Sequence, residues 1–155
     1  MTPPQVRRFS ANFITGVIQP EGLLLSDNTL YVANDIANGG YVGTYNATTG
    51  SAFTTPYSPL ISGLQYPFGL PISGNNLYVS QDYSATDWVG EYNASTGATI
   101  SAQLFTANPA GAYGLALSGN DLFVAGYQNG RWHVINSPCC RTRLRWCPVK
   151  ASEAL

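Results

Sequence analysis

Short apolar runs separated by tight polar clusters fill most of the chain, and their order recurs. In the first full copy Gly22–Leu25 is an apolar run, Ser26–Asn28 a turn cluster, and Leu30–Ala33 (LYVA) a second run. The later copies put Ser-Gly-Asn at the same turn, Ser73–Asn75 and Ser118–Asn120, and Gly and Asn readily supply the positive φ of a tight hairpin. A polar stretch then leads to a third run, Tyr41–Tyr45 or Trp88–Tyr92. The pattern predicts a fourth strand near Ala52–Thr55 in one copy and Thr99–Phe105 in the next. No helical period appears, so the elements are strands, four to a unit.

The phrases that recur are long enough to fix a period. GLLLSDNTLYVAN begins at Gly22, GLPISGNNLYVSQ at Gly69 and GLALSGNDLFVAG at Gly114, at spacings of 47 and 45 residues. VGTYNATTG from Val42 and VGEYNASTG from Val89 agree at seven of nine positions. Repeats of this length imply a stacked or radial architecture. The LYVA and LFVA runs do not alternate with polar residues, so both faces of these strands are expected to be covered by neighbouring sheets.

Pro67-x-Gly69-Leu70, then Gly74-Asn75-x-Leu77-Tyr78-Val79, then Val89-Gly90-Glu91-Tyr92, resembles the NHL-type β-propeller repeat over about residues 9 to 126, and Pro20-Glu21-Gly22-Leu23 repeats its opening. One departure is that the acidic residue after the Tyr-Val strand comes a position late, as Asp35 and Asp82, and is missing from the third copy. The resemblance implies an all-β, incomplete β-propeller of four-stranded antiparallel blades. Residues 1–136 then hold an outer strand at 10–18, blades at 22–64 and 69–106 and a partial blade at 114–136, before an irregular basic, Cys-containing tail at 137–155. Closed propellers have about four to eight blades. The chain is therefore expected to be a fragment of a longer propeller or to self-associate through its open blade faces.

Composition adds a sharp division. The chain is 45% hydrophobic and 10% charged, with a net charge of −1. Between Arg8 and Arg131 stand seven acidic residues and no basic one, which excludes nucleic acid as a partner for that stretch. Cys139, Cys140 and Cys147 lie with Arg141, Arg143, Arg145 and Lys150 in the tail. Two accounts fit this break: an added tail, or a departure from the reading frame near Asn129–Asn136. No segment approaches 18 consecutive apolar residues, so no membrane insertion is expected. MTPPQVRRFSANF lacks the apolar run of a signal peptide, while a cysteine-free, Thr/Ser/Asn/Gly-rich repeat favours a secreted or cell-surface parent protein.

Candidate chemistry is sparse. Gly22, Gly69 and Gly114 read as packing positions near a crowded axis. Asn46-Ala-Thr48 and Asn93-Ala-Ser95 match the N-glycosylation pattern, but their fixed place in the repeat favours a turn role. Asp35, Asp82 and Asp87 fall in connections that share one propeller face with aromatic and amide residues. The expected ligand-binding set is Asp35, Asn38, Tyr66, Phe68, Asp82, Tyr83, Asp87, Trp88 and Tyr113, suited to a protein or glycan ligand. The competing reading has Tyr66, Phe68 and Tyr113 filling gaps between blades.

No compact calcium loop is present, and His133 with the three cysteines lacks the spacing of a zinc site, so no metal or cofactor is expected. The repeat region holds no His to activate a Ser or Thr, and Glu21 and Glu91 have no evident acid/base partner. The expected function is a non-enzymatic binding or scaffolding module. The alternatives are part of a propeller lyase or lactonase with its catalytic residues on absent blades, or a truncated or frame-shifted product without independent function.

Overall fold

The computed structural model describes residues 12–36, 39–56, 58–82, 87–106, 111–119, 121–128 and 131–136. These residues form an all-β structure of three antiparallel sheets. The first sheet runs β1 (Pro20–Ser26), β2 (Thr29–Asn34), β3 (Gly40–Asn46) and β4 (Ile61–Leu64) in chain order. The second runs β5 (Ile72–Ser73), β6 (Asn76–Gln81), β7 (Trp88–Asn93) and β8 (Thr99–Thr106), and the third β9 (Gly111–Ser118), β10 (Asp121–Gln128) and β11 (Arg131–Asn136). Pairing in the third sheet continues to Asn136, ten residues past the last clear sequence match at Gly126. The expected tail, residues 137–155, lies outside the described residues.

The hairpin between the first two strands of each unit turns on one left-handed residue at equivalent positions: Asp27 (φ 51°), Gly74 (φ 58°) and Gly119 (φ 59°). Asn46 and Asn93 build the next turn. Asn46 Oδ1 accepts from the N–H groups of Thr48 and Thr49, and Asn93 Oδ1 from those of Ser95 and Thr96. The Thr48 and Ser95 hydroxyls donate to Asn28 and Asn75 Oδ1, tying this turn to the hairpin before it.

The fourth strand of the first sheet departs from expectation. It is Ile61–Leu64, while Ala52 and Thr55 make only isolated bridges, to Tyr45 and Ser58. Pro56 and Pro59 explain the delay, because each removes a ladder donor just where the strand would have run. The second unit has no proline there, and β8 starts directly after its turn at Thr99. Of the outer strand expected at 10–18, the described residues 12–18 make turns and bends and no ladder.

Register assigns the faces. Leu23 pairs with Val32 and Leu25 with Leu30 on one side of the first sheet, while Leu24 pairs with Tyr31 and Gly22 with Ala33 on the other. Leu24, Tyr31, Ala33 and Val42 pack against Leu70, Ile72, Leu77 and Val79 of the second sheet in one core. Tyr78 and Val89 then meet Leu115, Leu117, Leu122 and Val124 of the third sheet in another. The second sheet thus presents one face to the first sheet and the opposite face to the third.

The innermost strands come closest. A Cβ on Gly22 would lie 1.7 Å from the Phe68 carbonyl oxygen, and one on Gly69 would lie 2.8 Å from Leu115 N and 2.9 Å from Tyr113 O. These glycines are therefore required by backbone proximity. Gly114, their equivalent in the third sheet, has only the Ala125 Cβ nearby, at 3.5 Å.

Candidate functional site

The close approach of the inner strands leaves a groove of about 510 Å³ over them, lined among others by Glu21, Leu24, Phe68, Pro71, Tyr113 and Leu115. That volume falls within the range of small-ligand sites. Glu21, Phe68 and Tyr113 each immediately precede the repeat glycine, so the periodicity that orders the sheets also gathers these three side chains. The Phe68 and Tyr113 rings meet edge to face, with centroids 5.2 Å apart, a geometry aromatic quadrupoles favour.

Asp35 and Asp82 follow the ends of β2 and β6. Both are held in the same way: Asp35 N–H donates to Gln19 O (2.9 Å) and Asp82 N–H to Tyr66 O (3.2 Å), with Gln19 and Tyr66 both at positive φ. Repetition brings the two acids close enough for the charge of Asp82 to act on Asp35. Burial first, then the charges of Glu21 and Asp82, push the Asp35 carboxyl above the usual carboxylate range. Its Oδ1 is buried and accepts no hydrogen bond from the described residues. Burial also raises the Tyr113 phenol, helped by its hydrogen bond to Asp82 and the charges of Asp82 and Asp87.

Of the nine residues expected from sequence, Phe68 and Tyr113 line the groove, Asp82 and Asp87 act on Tyr113, and Asp82 acts on Asp35. Asp87 is buried. Tyr66 contributes its backbone carbonyl to Asp82 and leaves its ring partly exposed. Trp88 opens β7 opposite Gln81. Asn38 and Tyr83 lie outside the described residues. Glu21 was not in the expected set, and its repeat position beside Phe68 and Tyr113 was the signal that marks it.

Among the described residues no three His, Cys, Asp or Glu side chains are placed to hold a metal ion. The arrangement instead offers acceptors, two aromatic edges and a slot of apolar backbone.

Asp35 has a measurable consequence. Its folded-state pKa lies above its unfolded value, so its contribution to stability is fully present below the unfolded pKa and is lost as pH rises through the folded one. Asp35→Asn is therefore expected to raise the melting temperature at neutral pH and to flatten its decline as pH rises above the usual carboxylate range. Thermal melts of both proteins across and above that range check this; a variant melting lower than the parent at neutral pH contradicts it.

These features define an all-β repeat protein with an acidic, aromatic groove across its inner strands. No protein-family model and no curated protein matches the chain. Its fold is similar to the crystal structure of the computationally designed Ika4 protein, with a TM-score of 0.50 and 14% sequence identity over 75% of this chain. The chain spans 64% of the length of that structure.

Proposed function

We propose that the three sheets are consecutive blades of an NHL-like β-propeller and that the groove across their inner strands binds a glycan, making the chain a non-enzymatic binding module. The blade reading is supported by the order of the sheets and by glycines at the one position where successive inner strands nearly touch. The observation that carries the glycan reading is a groove lined by the Glu21 carboxyl group and by the edge-to-face rings of Phe68 and Tyr113. Aromatic edges cover the C–H faces of a sugar while carboxylates take its hydroxyls. The lack of any basic residue between Arg8 and Arg131 selects neutral over anionic sugars.

The test is a panel of neutral oligosaccharides on an array, followed by titration calorimetry of the best binder. Phe68→Ala and Tyr113→Ala are each expected to weaken binding by about tenfold or more. Binding of peptides and of no sugar sinks the glycan reading. A second reading, part of a lyase or lactonase, draws on Asp35, whose carboxyl is held toward its protonated form, as a candidate proton donor. It requires turnover by this chain that Asp35→Asn abolishes.

A further inference from the structure

We infer that two copies of this chain associate head to tail, the first sheet of each seating on the third sheet of the other, with residues Phe13–Ile18 of each copy supplying the fourth strand of its partner's third sheet. The inference rests on the blade reading above; Leu23 and Gly114, at its two ends, also line the groove.

The repeat itself shows what these surfaces fit. Leu70, on the face of the second sheet that meets the first, is 5% exposed. Leu23 occupies the same repeat position in the first sheet and is 69% exposed; Leu25, equivalent to Ile72, is 61% exposed. Among the described residues no sheet covers them. At the other end, Gly114 keeps the glycine that its equivalents need for an approaching inner strand, yet among the described residues no following strand reaches it. The two surfaces are the two halves of one contact, and the first-to-second and second-to-third sheet contacts are its two worked instances.

The outer edge completes the fit. The first two sheets have four strands and the third has three, with no described strand on the outer edge of β11. The missing member is the equivalent of Ile61–Leu64, and the segment preceding β1 stands 47 residues before it. That segment already docks on the first sheet as the end of β4 docks on the second. Ile18 N–H donates to Asn34 Oδ1 (3.1 Å) as Gln65 N–H donates to Gln81 Oε1 (2.9 Å). A Cβ on Gly50 would strike the Phe13 carbonyl as one on Gly97 would strike that of Leu60. Residues 13–18 are thus positioned as an outer strand whose own sheet belongs to another copy, and strand addition to an open edge supplies the pairing.

Head-to-tail contacts either close into a ring or run on. The three sheets among the described residues give six in two copies, the multiple of three that falls within the range of about four to eight blades in closed propellers.

Sedimentation velocity of the full chain is expected to show a two-copy species. Leu23→Asp with Leu25→Asp, on surface positions that leave the core untouched, is expected to weaken it by about a hundredfold or more, with the circular dichroism of the β-structure unchanged. Gly114→Ala is expected to do the same from the other side. Phe53→Asp with Ile100→Asp is the control: these equivalent residues are both exposed although their sheets have following neighbours, so they lie off the contact, and the pair is expected to survive. Amides of residues 14–17 are expected to resist hydrogen exchange in the pair and to lose that protection in the Leu23/Leu25 variant. A monomer that keeps the nuclear Overhauser contacts between Gly22 and Phe68 overturns the pairing and leaves the blade reading intact. A monomer without them overturns both, and assemblies of no fixed size, or a pair indifferent to Leu23 and Leu25, overturn the pairing.

Discussion

Replacing Gly22 by alanine is expected to destabilise the chain by about 3 kcal/mol or more, measured as a shift in the urea midpoint at unchanged slope. The added methyl carbon would sit 1.7 Å from the Phe68 carbonyl oxygen and 2.9 Å from its carbonyl carbon. Both are backbone atoms, so no side-chain rotation relieves the clash. The first and second sheets must separate at their inner strands, and the core of Leu24, Tyr31, Leu70 and Ile72 beneath them loosens with that movement. The same substitution at Gly114 is the internal comparison. There the nearest atom is the Ala125 Cβ at 3.5 Å, an ordinary contact. A strand glycine exchanged for alanine also gives up less chain entropy on folding, so Gly114→Ala is expected to leave the stability of a single chain within about 0.5 kcal/mol of the parent. Equal losses at the two positions contradict the account.

The glycine contrast bears on what the sequence makes readable. Gly22, Gly69 and Gly114 are recognisable in the sequence because a packing requirement repeats as often as the unit does. The hairpins are readable for a similar reason: one turn position must be left-handed, and Ser-Gly-Asn supplies it at Gly74 and Gly119 while Asp27 accepts it in the first unit. The strand at Ile61–Leu64 was misplaced because the two units agree up to their NATTG and NASTG turns and then diverge. Pro56 and Pro59 interrupt the ladder in one unit alone, and a repeat argument transfers the wrong boundary.

The site was half legible. Asp35 and Asp82 share a repeat position, so their proximity follows once the units are ordered side by side. Glu21 escaped because its equivalents, Phe68 and Tyr113, have different chemistry, and a search for like residues passes over a position where an acid replaces an aromatic ring. That Asp35 feels both Glu21 and Asp82 depends on distances between units, which the sequence does not contain.

Leu77→Ala is expected to cost about 3–4 kcal/mol and Leu30→Ala about 1 kcal/mol, although the two leucines occupy one repeat position. Leu77 is fully buried, on the face of the second sheet that packs against the first, among Leu70, Val79 and Tyr92. Leu30 lies on the corresponding face of the first sheet, paired with Leu25, and is only half-buried. Truncating Leu77 leaves a cavity that a stiff sheet cannot close, whereas the space left by Leu30 opens to water. Denaturant unfolding of both variants under dilute conditions, where chains are separate, measures the difference. The same pair of variants then separates local from borrowed stability. Where two copies associate, the face bearing Leu30 is covered as that of Leu77 is within one chain, and the cost of Leu30→Ala is expected to rise towards that of Leu77→Ala as protein concentration increases, because stability becomes linked to association. A Leu30 penalty that stays flat with concentration places that face in water at all times. A Leu77 penalty no larger than that of Leu30 removes the inter-sheet core itself.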